Sequence, residues 1–177
     1  PVNGNIPPEL LDMTGENADK KQEAIEEGIH VTIKRGTKPF PRTLHLIPKT
    51  VVLGIGCRRG ISQEKIESVV DEVLKIQEIE RESIEKVCSI ELKKDEEGIR
   101  QFCRKWKIPF GVFSREELEH VQGEFSQSEF VKKIAGVSNV CERSAVLGSH
   151  EGRLIQGKYA KDGVTVAVAV KDWSVKF

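Results

Sequence analysis

Four short stretches of the sequence combine residue types that could hold or act on an anion. The first is Gly54-Ile55-Gly56-Cys57-Arg58-Arg59-Gly60, between a short apolar run and a helical pattern. Glycines at such a turn let backbone N–H groups approach a ligand closely, and the following helix N-terminus favours negative charge. Arg58 and Arg59 add planar donors suited to carboxylate or phosphate. The spacing is not that of a dinucleotide fingerprint, because Arg59 stands where the third glycine belongs and Gly60 follows one later. No Gly-Lys-Ser/Thr follows either, so a Walker phosphate loop is absent. The plain alternative is a tight turn whose arginines are merely solvated.

The second stretch is Leu92-Lys93-Lys94-Asp95-Glu96-Glu97-Gly98-Ile99, where lysines end an extended segment and acids begin a helix. Complementing the helix dipole explains the acids but not the paired lysines. The third is Gly136-Val137-Ser138-Asn139-Val140-Cys141-Glu142, a loop entering a helix with Glu142 in its first turn. A solvated, dipole-complementing glutamate is the simpler reading there. The fourth joins Lys158, expected at a strand end, to Gly163-Val164-Thr165-Val166-Ala167-Val168-Ala169. Small residues alternating with valine predict a strand packed closely against another layer.

Other chemistries find little support. His30, His45, His120 and His150 form no HExxH or His-x-His arrangement, and there is no GxSxG elbow. The four cysteines include no CxxC pair, so a zinc site is not expected. Cys88 and Cys103 fall in apolar patterns of helical spacing and read as small core residues. Free thiols and no export signal point to a reducing cytoplasm.

These stretches need elements to position them. Val51 to Ile55 reads as a buried strand, and Ser62 caps a helix carrying Ile66, Val69, Val70, Val73 and Leu74. A second short helix is expected over 83–88, with Ile84 and Val87 inward, then an extended segment over 89–92. Ile99, Phe102, Cys103 and Trp106 predict a helix over 96–106, and 108–113 a strand. Ser114 caps a helix through His120, and two more helices are expected over 128–134 and 139–147. Residues 153–158 and 164–170 form a hairpin turning at Lys161-Asp162-Gly163. The result is an α/β fold, a three-layer α/β/α domain with a largely parallel sheet and a C-terminal antiparallel hairpin.

Six of the seven prolines lie in the first 48 residues. Residues 1–47 therefore read as a Pro-rich linker or the remnant of a preceding domain, with a short helix over 19–27 and a β-rich run over 30–34, and residues 48–177 as the main domain. The 177 residues suit that division, and an opening Pro1 suggests a piece of something longer. Lys and Arg total 28 against 28 for Asp and Glu, which argues against a polyanion-binding surface and so against nucleic acid. No apolar run approaches the roughly 20 residues of a membrane span.

Taken in order, GIGCRRG, LKKDEEGI, GVSNVCE and KYxxxGVTVAVA resemble the C-terminal domain of the CbiG family, cobalt-precorrin-5A hydrolases of anaerobic cobalamin biosynthesis, and the similar stand-alone CobE proteins. The resemblance covers Lys49 to about Lys171. It implies an α/β/α domain acting in corrin ring contraction, where a δ-lactone opens and a two-carbon fragment leaves as acetaldehyde. The substrate and partner implied is a cobalt-corrinoid intermediate, with other enzymes of the pathway as further partners. No separate cofactor is implied, since cobalt arrives inside the substrate. Gly54, Gly56, Cys57, Arg58 and Gly60 match the first motif, Lys93 and Glu96 the second, Gly136 and Glu142 the third, and Lys158 and Thr165 the fourth.

Corrin precursors carry acetate and propionate side chains, so Arg58, Arg59, Lys93 and Lys158 are candidates to bind them. Lactone hydrolysis needs a base for water and a donor for the oxyanion. Glu96 and Glu142 are the candidate bases. Lys93, Lys158 and N–H groups near Gly56 are the candidate oxyanion donors. Cys57, beside Arg58 and before a helix, has a setting that could lower its thiol pKa, but the favoured reading is a well-packed or ligand-lining side chain rather than a covalent nucleophile. The alternatives are a noncatalytic corrinoid-binding module, or a nucleotide-binding domain using the glycine loop.

Overall fold

The structure is a computed structural model, which describes residues 2–3, 26–123, 125 and 139–176. The helix expected over 128–134 and Gly136 of the third motif lie outside the described residues, as does nearly all of the one expected over 19–27. Two short pairs flank the main body. Strand β1 (Val2–Asn3) pairs in parallel with β9 (Val175–Lys176), and β2 (Glu27–Val31) pairs in parallel with β3 (Arg42–Leu46).

The main sheet is built on β4 (Val51–Cys57), a run of β-branched and small residues whose first five positions are buried. Its five strands lie in the order β6-β5-β4-β8-β7. Strands β5 (Ile84–Ile90) and β6 (Phe110–Phe113) continue it in parallel. Strands β8 (Val164–Val170) and β7 (Arg153–Lys161) are antiparallel to β4 and to each other. Asp162 and Gly163 take φ of 51° and 82° in the two-residue turn between them, which the Asp-Gly pair anticipates.

Helices cover both faces. Helix α1 (Gln63–Ile76) starts at Ser62, whose side chain accepts from the Lys65 N–H. Its buried Ile66, Val69, Val70, Val73 and Leu74 join Ile99, Phe102, Cys103 and Trp106 of α2 (Glu97–Trp106). Together they pack on Leu53, Ile55, Val164, Val166 and Val168. Helix α3 (Arg115–His120) begins with a full capping box between Ser114 and Glu117. On the opposite face, Cys141, Ala145 and Val146 of α4 (Val140–Gly148) meet Ala167 and Ala169. The Val/Ala alternation along β8 thus assigns the bulky face to α1 and α2 and the small face to α4.

The expectation of a helix over 83–88 is corrected: Arg81–Ser83 is one 3₁₀ turn and Ile84–Ile90 a strand. Ile84, Val87 and Cys88 fit helical spacing, but a strand buried on both faces gives a similar short apolar run. Cys88 is therefore a strand residue. The extended segment expected over 89–92 ends at Ile90, and Glu91–Lys93 is another 3₁₀ turn. The third strand is shorter than expected and the first hairpin strand longer. Residues 27–31 pair as a strand, which overlaps the β-rich run expected over 30–34 and starts at Glu27, where the expected helix was to end. Among the described residues no helix is long and apolar enough to cross a membrane.

The closeness of α4 is set by glycine. A Cβ on Gly54 would lie 1.8 Å from the Cys141 carbonyl oxygen, whereas one on Gly111 would find its nearest neighbour at 3.8 Å. Because the obstacle at Gly54 is backbone, Gly54→Ala should cost at least about 2 kcal/mol and lower Tm by roughly 5 °C or more. Gly111→Ala should leave Tm within about 2 °C. Thermal melts of the two variants check this.

Candidate functional site

The parallel strands β4 and β5 end side by side, and the loops that leave them are tied together. After Cys57 the Arg58 N–H donates to the Gly163 carbonyl at 2.8 Å. Gly60 turns the chain with φ of 74°, a conformation costly for other residues. Its N–H donates to Glu96 Oε1 at 2.7 Å. Lys93 Nζ lies 3.4 Å from Glu96 Oε2, and the two side chains are only 20% and 10% exposed. Glu96 occupies the N-cap position of α2 but makes no capping bond with its side chain. The next residue, Glu97, follows the ordinary pattern and pairs along the helix with Gln101 and Arg104. The two adjacent acids thus differ in kind: Glu97 serves its own helix and Glu96 bridges two loops. Arg58, Arg59 and Lys94 are exposed around this bridge.

A second group forms where α4 begins. Asn139 caps α4 from the left-handed region at φ of 57°, and its Oδ1 accepts from the Glu142 N–H and the Cys141 thiol. Glu142 is 3% exposed. Its Oε1 accepts the Lys158 N–H at 2.6 Å, within an irregularity in β7 between Gln156 and Tyr159. Thr165 stands opposite Gly56 in the ladder and donates its hydroxyl to the Gly56 carbonyl at 3.2 Å. A Cβ on Gly56 would press within 2.6 Å of that hydroxyl.

The two groups meet at the Gly56–Cys57 peptide. The structure gathers Cys57, Gly60, Lys93 and Glu96 on one side of it, and Gly56, Cys141, Glu142, Lys158 and Thr165 on the other. Arg58 leans toward the hairpin turn, its Cδ 3.0 Å from where a Gly163 Cβ would be. Gly54 sits farther down the strand under α4, where its missing side chain serves packing. Asn139 and Cys141 are additions that motif spacing did not single out, although an Asn before a helical pattern is a cap signal.

The lowered pKa weighed for Cys57 is not found, and its burial agrees with the packed reading. Burial pushes its thiol up to about 11, against a smaller lowering by Lys93 and together with a raising by Glu96. Burial likewise raises Cys88 and Cys141 to about 11 and Cys103 to about 12. Among the described residues no three His, Cys, Asp or Glu side chains cluster to hold a metal ion. A separate groove of about 310 Å³, lined by Val31, Ile33, Lys34, Gln77, Arg153 and Trp173 among others, lies elsewhere. Register places Arg153 opposite Val170 and Val170 opposite Val51, so the groove is at the amino end of β4, away from these loops.

Comparison with known proteins adds to this geometry. Residues 51–169 match the family described as cobalamin synthesis G C-terminus. The chain is 35% identical over 123 residues to the cobalt-precorrin-5A hydrolase of Priestia megaterium, covering 70% of this chain and 33% of that protein. It is 33% identical over 125 residues to that of Salmonella typhimurium, covering 71% and 35%. The chain thus spans about a third of the length of these curated relatives. Among solved structures it resembles CobE, a protein from the cobalamin biosynthetic pathway, with a TM-score of 0.64 at 28% identity, over 70% of this chain and 92% of that one. It also shares its fold with a cobalamin biosynthesis protein G homolog from Sulfolobus solfataricus, with a TM-score of 0.58 at 22% identity, over 97% of this chain and 49% of that one.

A thiol raised from 9.0 to about 11 carries roughly 100-fold less thiolate near pH 8 than an unperturbed one. Cys57 should therefore react with iodoacetamide at pH 8 at least about tenfold more slowly than a free cysteine, and its rate should keep rising with pH past 10. Mass-spectrometric alkylation kinetics across pH 7–10.5 check this.

Proposed function

The chain belongs to the cobalamin synthesis G C-terminal family, and from that premise we propose that it forms the C-terminal part of a cobalt-precorrin-5A hydrolase. On this reading the loops at the carboxyl ends of β4 and β5 receive a cobalt-corrinoid and position it while its δ-lactone is opened and acetaldehyde leaves. The observation that carries the reading is the Gly60–Glu96–Lys93 bridge. It fixes a glycine-rich turn and a lysine beside exposed Arg58, Arg59 and Lys94, in a chain whose relatives act on this substrate.

The residues divide by role. Arg58, Arg59, Lys93 and Lys158 take the peripheral acetates and propionates, guanidinium groups being suited to two-point contacts. Glu96 and Glu142 hold the loops: each has an oxygen on a backbone N–H, and Glu96 presents its other oxygen to Lys93. A carboxylate of the substrate entering beside Lys93 competes with Glu96 for that ammonium. If Glu96 is displaced toward solvent, it becomes available to take a proton from water. Gly56 and Thr165 set the adjoining strand ends against which the ring lies. Cys57, held as a thiol, lines the site without attacking. Four free cysteines suit a reducing cytoplasm, where the pathway's other enzymes would exchange intermediates with it.

Titration of the chain with a cobalt-corrinoid bearing free carboxylates, followed by visible absorption, should show saturable one-to-one binding. Lys93→Ala and Arg58→Ala should each weaken it by about tenfold or more, the value of one charge-assisted contact. Absence of binding by the intact chain would overturn the reading. Acetaldehyde release, measured for this chain and for a full-length hydrolase, separates the two roles: binding without turnover by this chain assigns it the holding of substrate and places the base in the rest of the enzyme.

A further inference from the structure

Among the described residues, nothing covers one face of the small β2–β3 sheet. Ile29, Leu44 and Leu46 are 46%, 58% and 46% exposed, and they account for three of the five large exposed hydrophobics among the described residues. Register aligns Ile29 with Leu44 and Val31 with Leu46, so these side chains form one stripe. An Arg42–Glu27 ion pair closes one end of it. The other face is occupied: the Phe40 ring lies against Gly28, and His30 and His45 stack edge to face. A two-stranded sheet is marginal by itself, and parallel strands are ordinarily covered on both faces.

The sheet is nevertheless firmly attached to the domain. Ile33 packs on the core, Lys34 bridges to Ile79, and Glu80 and Arg35 exchange backbone hydrogen bonds with Ile33 and Glu78. A second observation bears on what covers it. The match to CobE takes in 70% of this chain and nearly all of CobE, so a protein of that size has room for the domain only. The Sulfolobus structure matches 97% of this chain, leader included, and half of that longer protein still remains. The leader fold thus occurs where a further half is present.

We infer that the Ile29–Leu44–Leu46 face is the docking surface for that further half of a cobalt-precorrin-5A hydrolase, seated by apolar contact with the Arg42–Glu27 pair at its rim. The inference rests on the family reading above, but not on this chain binding or hydrolysing corrinoid. Its test needs no corrinoid. The organism's own polypeptide segment corresponding to the unmatched half of the Sulfolobus protein is expressed separately and titrated calorimetrically with the 177-residue chain. A one-to-one complex is expected, weakened at least tenfold by Leu44→Asp combined with Leu46→Asp. Both residues are exposed, so the variant should keep the wild-type melting temperature; should it not, Leu44→Gln alone replaces it, with a threefold or greater loss expected. No complex, or one that the substitutions leave unchanged, overturns the inference. So does light scattering that shows the isolated chain dimerising through this face.

Discussion

The contact on which the most else depends is the seating of α4 directly on the backbone of the sheet. The Cys141 carbonyl occupies the space where a Gly54 side chain would stand, and a Cβ on Gly148 would strike the Cys88 sulfur at 2.5 Å. Ala167 and Ala169 keep the same face shallow. At the usual spacing set by Leu or Val, the helix would ride higher, since interiors fill to a fixed density. Glu142, one residue beyond that carbonyl, reaches the backbone of β7 because of this closeness. Gly56 and Thr165 are then locked to each other across the ladder. A packing solution in the middle of the sheet thereby sets the geometry of one side of the loop cluster.

The other side is held by a carboxylate as well. Glu96 and Glu142 each accept a backbone N–H at 2.7 and 2.6 Å, distances suited to charge-assisted bonds. Neither N–H lies within the glutamate's own helix. The acids act as struts between elements distant in sequence, Gly60 with Glu96 and Lys158 with Glu142. Net neutrality of the whole chain fits this arrangement. Acids are drawn inward to backbone donors, and the arginines at 58 and 59 and the lysine at 94 are left facing solvent. A chain of zero net charge can so present a locally basic rim.

Much of this was legible from residue pattern, and the remainder failed for identifiable reasons. Strand β4, helix α1, the Ser114 capping box and the Asp-Gly hairpin each have local signals that agree with the fold. The alternation of Val and Ala in β8 named its close-packed face before any helix was assigned to it. Ile84, Val87 and Cys88 misled because a buried strand and a buried helical turn share that spacing. The leader misled because Pro and Gly mark irregular chain, while the pairing of Glu27–Val31 with Arg42–Leu46 is a nonlocal fact. The Cys57 pKa marks a different limit: neighbouring cations are visible in sequence, but the burial that outweighs their effect is not. Glu96 and Glu97 show the same limit, since only the path of the Gly60 loop distinguishes them.

Where the leader attaches has a mechanical consequence. Its anchors are Gln77, Glu78, Ile79 and Glu80, at the end of α1, where the chain turns toward the start of β5. The basic rim and the glycine turn lie at the beginning of α1, one helix of 14 residues away, or about 21 Å. A partner docked on the β2–β3 sheet would therefore sit toward the amino end of the parallel strands, while the loops open at the carboxyl end. Tethering at one end leaves the other unobstructed for a large flat ligand. It also means that a group supplied from elsewhere to complete the site must extend along the flank of the domain, because the leader's anchors alone do not bring it there. The edge of β7 and the solvent side of α1 are flanks that run between those ends, and α1 already carries the Lys161–Glu72 pair across to β7 on that route.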